Sequence, residues 1–97
     1  MQFLILARVA QGVSIEQVIP HVRAEAEAVW KQYSAGILRS VYYIADMSDA
    51  VLLCEAPDLE AMQNIAAQFP MAKAGVLKFE ILPLKPYTGL ESLFAKS

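Results

Sequence analysis

One cysteine, one histidine and four glycines in 97 residues set the first limits. The lone cysteine, Cys54, allows no internal disulfide, which excludes a disulfide-stapled secreted scaffold. A single histidine, His21, far in sequence from that cysteine, leaves no zinc-ligand spacing, so no metal is expected. Glycine never clusters into a phosphate-cradling loop, and neither Cys-x-x-Cys nor a Ser-His-Asp set occurs, so no cofactor is expected. An excess of one charge is missing too. Eight Lys and Arg against ten Asp and Glu give a net charge of -2. That excludes the basic face of a nucleic-acid binder and the polybasic patch of a membrane-surface module. No apolar run approaches the ~20 residues of a spanning helix. The apolar start, Met1 to Val9, lacks a basic leader region and meets Arg8 where a secretory signal would continue. The chain reads as cytoplasmic, with neither nucleic acid nor membrane as a partner.

What the chain has in plenty is apolar surface. Apolar residues make up 57% and charged residues only 19%, against a usual charged share of ~25%. The length fits one domain over residues 1–97. Folding removes roughly 10,000 Å² from water at this size, enough for a core without staples. Cys54, in the run Val51-Leu52-Leu53-Cys54, reads as a small buried hydrophobe. The apolar surplus points to burial against another subunit.

Phe3 to Val9 reads as a strand, with Phe3, Ile5, Ala7 and Val9 on one side and Gln2, Leu4, Leu6 and Arg8 on the other. Ser14 with Gln17 three residues on is a capping-box signature. It opens a helix to Tyr33 with Ile15, Val18, Ile19, Val22, Ala26, Val29, Trp30 and Tyr33 as one stripe, and Trp30 reads as core or interface. Pro20 predicts a kink or a late start, and Gly36 a left-handed cap. Strands follow over Ile37–Asp46 and Ala50–Glu55 as a hairpin. A helix capped by Asp58 buries Leu59, Met62, Ile65, Ala66 and Phe69, and Pro70 stops it. Val76 to Leu82 is the fourth strand. An extension runs from about residue 83, held extended by Pro83 and Pro86, with a short helix over Leu90–Ala95.

The order β-α-β-β-α-β in one domain is the ferredoxin-like α+β arrangement, a four-stranded antiparallel sheet with two helices on one face. The helices cover only one face, yet Leu4, Leu6, Leu82 and Leu84 make the other apolar as well. Packing two such faces together gives a homodimer, a dimeric α+β barrel.

Gly36-Ile37-Leu38-Arg39, Tyr43-Ile44-Ala45, Pro57-Asp58-Leu59-Glu60-Ala61-Met62, Gln68-Phe69-Pro70-Met71 and Phe79-Glu80-Ile81-Leu82-Pro83-Leu84 together resemble the muconolactone isomerase family, over about residues 14 to 87. The resemblance implies a dimeric α+β barrel and cofactor-free proton transfer on a small organic acid or lactone. Glu25 and Glu27 match a Glu-x-Glu late in the family's first helix. In the second strand the first Arg of the family's Arg-His-Leu-Trp-Arg-Ile-Ala-Gly is kept as Arg39, while Ser40 and Tyr43 replace the His and the second Arg.

His21 and Glu25 lie at i, i+4 and meet on one flank of the first helix, with Gln32 further along it. They are the candidate catalytic pair, because a His-Glu pair can move a proton beside a carbonyl. The alternative is a partly solvated helix-edge pair. Glu27 reads as support for Arg23 and Lys31. On the sheet, strict alternation puts Arg39, Val41 and Tyr43 on one face and Tyr42 under a helix. Arg39, Tyr43 and Arg8 are the candidate substrate-binding residues, the arginines gripping a carboxylate bidentately. The alternative pairs these arginines with Glu80 or with acids of another subunit. Two function classes stay open: a muconolactone isomerase-like enzyme, and a non-catalytic oligomeric module that binds a small molecule on the same scaffold.

Overall fold

The computed structural model describes residues 1–95; Lys96 and Ser97, the end of the expected domain, lie outside the described residues. Strand β1 (Gln2–Val9) leads into α1 (Ile15–Val18), a 3-10 turn (Ile19–His21) and α2 (Val22–Ser34). The Ser14–Gln17 capping box is present. Pro20 breaks the helix as its missing N–H requires, so one expected helix becomes two with a tighter turn between them. Gly36, at φ 78°, reverses the chain into β2 (Leu38–Tyr43), a conformation that a Cβ would disfavour.

Strand β2 ends three residues sooner than expected, because Ile44 to Ser48 form the turn to β3 (Asp49–Glu55) with Met47 left-handed at φ 64°. Asp58 caps α3 (Leu59–Ala67), its Oδ1 accepting from the Ala61 amide at 2.8 Å. Pro70 does more than stop that helix. It opens a further turn, α4 (Pro70–Lys73), at the first helical position, where no N–H is needed. Strand β4 (Leu77–Leu84) includes Pro83, which the edge position tolerates. A 3-10 turn over Gly89–Leu93 stands where a short terminal helix was expected.

The sheet is antiparallel with strand order β2-β3-β1-β4, the expected ferredoxin-like arrangement. Phe3, Ile5, Ala7, Leu38, Leu52, Cys54, Ala56 and Met62 form the core between sheet and helices. Phe69 meets Phe79 edge-on at 5.6 Å beside it. The other face carries Leu4 in register with Leu53 and Leu82, and Leu6 with Val51 and Glu80. No helix covers it. The radius of gyration is 16.0 Å against about 12.5 Å for a compact chain of this length. Residues 85–95, all exposed, belong to the extension.

Two expectations fail on packing geometry. The register of β2 against β3 slips between Leu38 and Ser40, leaving Arg39 unpaired in the ladder as a bulge. The extra residue reverses the alternation beyond it. Val41 and Tyr43 pair with Leu52 and Ala50 on the helix-covered face, and Tyr42 pairs with Val51 on the open face. Tyr42 is therefore not under a helix. The second failure is the stripe of the first helix. Ile15, Ile19, Val22, Ala26, Trp30 and Tyr33 are exposed; Val18 and Val29 of the stripe are half-buried, and α2 turns Val29 inward together with Glu25, Ala28 and Gln32.

Candidate functional site

The groove where α2 meets α3 and α4 holds the candidate catalytic pair. α2 begins at the end of the sheet where β1 finishes, and its inward flank carries His21 and Glu25 one turn apart. Opposite them, Pro70 lacks an N–H, so Met71 presents an early free amide of α4. Glu25 Oε1 accepts from it at 3.0 Å. One helix thus caps the next with a carboxylate, favourable at the positive end of a helical turn. Burial pushes the Glu25 carboxyl above its usual value, against the opposing pull of the Met71 amide and of His21. The group is therefore easier to protonate than an exposed glutamate.

A cleft of about 100 Å³ lies along the same groove, lined by Ala28, Lys31, Gln32, Ile65, Gln68 and Phe69. Gln32 continues the His21–Glu25 flank. Gln68 and Lys31 add a polar group and a cation that sequence reasoning did not single out as site residues. Gln68 stands in the Gln-Phe-Pro-Met stretch whose proline sets up the capped turn. A larger cleft of about 410 Å³, between α3 and β4, is lined by Gln63, Ala66, Ala67, Ala72, Phe79 and Ile81. It contains no acid, base or cation, so size alone does not make it the reactive site.

The candidate substrate-binding residues divide. Tyr43 ends β2 on the helix-covered face, at the same end of the sheet as His21 and Glu25, and is 71% exposed. Arg8 is at that end too, but on the open face, where Nη2 meets Glu80 at 3.4 Å. This is the alternative pairing expected for it. Arg39 is at the far end. Its partner Glu55 aligns with Gln2, six residues along β1 from Arg8, about 20 Å away. The bulge brings its guanidinium onto Glu55, Nη2 to Oε2 2.7 Å, while Nε donates to the Gly36 carbonyl at 2.7 Å. A single chain thus sets His21 one turn from Glu25, places Tyr43 at the same end, and keeps both arginines across the sheet.

Cys54 is buried in the core and its thiol is pushed up to about 11 by burial, which leaves it no thiolate character for nucleophilic work. Glu27 pairs with Arg23 at 3.4 Å on the outer surface of α2, as expected of a solvated ladder. Among the described residues, no three His, Cys, Asp or Glu gather into a metal-ligating group, and no helix is long and apolar enough to cross a membrane.

No family model matches the chain, and no curated protein matches it in sequence. Solved structures do match. Muconolactone isomerase superposes with a TM-score of 0.75 at 19% identity, covering 91% of this chain and 92% of that one. The 5-chloro-2-hydroxyhydroquinone dehydrochlorinase of Burkholderia phenoliruptrix AC1100, solved with 2,5-dihydroxybenzoquinone, gives 0.74 at 18% identity over 92% and 98%. Agreement over nearly the whole of each chain, at identities this low, is agreement of backbone path. The chain has the muconolactone isomerase-like fold.

Proposed function

We propose that the protein is a cytoplasmic, cofactor-free enzyme of the muconolactone isomerase type, moving a proton on a small organic acid or lactone as a homodimer or larger assembly. The observation that carries this reading is Glu25, a half-buried carboxyl with a raised pKa, fixed by the Met71 amide and one turn from His21. In the proposed reaction Glu25 takes a proton from the carbon beside the lactone carbonyl. The electron pair moves into the carbonyl oxygen, and the proton returns to a different carbon. Nothing is oxidised and nothing is lost, so no redox group is needed. His21 supplies positive charge beside the carboxylate. Tyr43 orients a substrate oxygen, and either Arg8 or Arg39, about 20 Å apart in one chain, grips the acid group from a second chain, since one chain alone brings neither to Glu25. The two similar enzymes, an isomerase and a dehydrochlorinase by name, support a small-molecule reading.

Solvent deuterium incorporation tests this. Wild-type protein in D₂O should exchange the acidic carbon-bound protons of carboxylated unsaturated lactones, followed by NMR. Glu25→Gln should slow exchange by more than about a hundredfold with unchanged circular dichroism. Exchange at the buffer rate across the panel would leave the non-catalytic binding module as the better account.

A further inference from the structure

The first helix does not face the core with its most apolar side. Ile15, Ile19, Val22, Ala26, Trp30 and Tyr33 recur at spacings of four, three, four, four and three, and every one is exposed. At 100° per residue, the four members on α2 fall within about 40° of Ala26. Trp30, the single tryptophan, is 67% exposed and stacks on Tyr33 with ring centroids 5.9 Å apart. Half to two-thirds of each large side chain in the stripe lies open. Taking ~150–250 Å² per large side chain, that is on the order of 600 Å² of apolar surface. This is the top of the range for a monomer's largest patch, and near the ~800 Å² that each partner of a stable interface buries.

The charges beside the stripe indicate what covers it. Arg23 and Glu27 lie together on one flank, paired within the chain at 3.4 Å but 95% and 70% exposed. In an antiparallel pair of identical helices related by a two-fold axis, each flank meets its own copy. An axis near residues 25–26 brings Arg23 towards the other chain's Glu27, and Glu27 towards its Arg23. The same axis sets Val22 against Trp30 and puts the smallest stripe residue, Ala26, at the crossing, where close approach needs a short side chain. Charge pattern and apolar pattern share one centre.

We infer that α2 is a self-association surface, binding α2 of a second copy of this chain antiparallel about Ala26. The contact is on the opposite layer from the open sheet face. It is therefore independent of sheet pairing, and the two together carry assembly beyond a dimer.

Ala26→Cys provides the test. At an interaxial distance of ~9–10 Å, facing Cα atoms ~2.3 Å from their axes come about 5 Å apart, within disulfide reach. Mild oxidation should give a covalent dimer on a non-reducing gel. Ser34→Cys, eight residues from the axis, has copies ~24 Å apart and should not cross-link. Cys54, buried, should not compete. Trp30→Glu should reduce the assembly to sheet-paired dimers in sedimentation. Arg23→Glu should weaken association about tenfold, and Arg23→Glu with Glu27→Arg should restore it. Trp30 emission should shift to the red on dilution of the wild type. Absence of the Ala26→Cys cross-link together with an unchanged mass for Trp30→Glu would overturn the inference. Loss of sheet pairing reads separately, because Leu4→Lys on the open face would lower the mass while leaving the cross-link intact.

Discussion

Arg39 is held by Glu55 in the single chain, and that contact gives a test in which two readings predict different outcomes. If Arg39 grips a ligand carboxylate, Glu55 competes with the ligand, and Glu55→Gln should tighten binding. If Arg39 only pins the bulge, Glu55→Gln should do nothing to ligands and slightly loosen the fold. The pair is short, Nη2 to Oε2 2.7 Å, but both side chains are about half exposed. Pairs so exposed are worth ~0.2–1 kcal/mol, so freeing the guanidinium should tighten ligand binding by about 1.4- to 5-fold. Arg39→Ala removes the contact altogether. Leaving a ligand charge unpaired costs ~2–5 kcal/mol, more than tenfold in affinity. Its stability cost is smaller: a screened ion pair and the hydrogen bond to the Gly36 carbonyl, together about 1–2 kcal/mol. Arg39→Lys should rescue only part of the binding, because an ammonium lacks the planar fork.

Calorimetry against small dicarboxylates and carboxylated lactones reads the affinity, and thermal melts read the stability. At ~4–8 °C per kcal/mol for a domain this small, the Arg39→Ala melt should fall by about 4–16 °C, and the variant should still fold. A ligand that binds wild type, Glu55→Gln and Arg39→Ala equally would remove Arg39 from the site. Weaker binding by Glu55→Gln would make Glu55 part of the site and Arg39 its support.

Glu25 has a raised folded pKa, so the native state holds its proton more tightly than the unfolded chain does. Stability should then fall as pH rises from the ordinary carboxylate value through the folded pKa, and stay reduced above it. Glu25→Gln should remove that slope, gaining on wild type as pH rises and matching it in acid; parallel melting curves from pH 4 to 8 would contradict the assignment. Leu4→Lys puts a charge between Leu53 and Leu82 on the open face and should leave each chain folded while abolishing sheet pairing; unchanged mass at micromolar concentration in sedimentation would refute a sheet-to-sheet dimer. Deleting the chain after Lys85 removes exposed Tyr87, Leu90, Leu93 and Phe94 and should weaken association, detected as earlier dissociation on dilution.

Most of the fold was legible because local chemistry marks its boundaries. The Ser14–Gln17 box, the Asp58 cap, Gly36 and the strand alternation each fix an element within a few residues, and their order leaves little topological choice. The register of β2 was not legible. Arg39 carries no glycine or other bulge signal, and the partner it meets in the bulge, Glu55, is sixteen residues away and adjacent only after folding. Strict alternation therefore grouped Arg39 with Tyr43, and the bulge separated them. The placement of His21 and Glu25 on one flank was visible from helical spacing alone. The Met71 amide that gives Glu25 its hydrogen bond was not, because that partner comes from another helix, 46 residues on.

Amphipathicity has the same limit, and here it bears on function. A 3.6-residue period says which side of a helix is apolar; it does not say what that side packs against. The pattern of α2 reads as a core stripe, yet the fold turns the helix so that Val29 faces inward with Glu25, Ala28 and Gln32 and the rest of the stripe faces out. The inward flank is the less apolar one. A helix driven only by burial within its own chain would roll the other way. Two demands together account for the observed rotation: a carboxylate has to reach the N-terminus of α4, and an apolar stripe has to remain available to another chain. The first is the Glu25–Met71 hydrogen bond. The second is the self-association about Ala26. The rotation of one helix thus connects the proposed proton-transfer groove to the proposed assembly, and variants in the stripe that dissociate the protein are expected to disturb exchange at Glu25 as well.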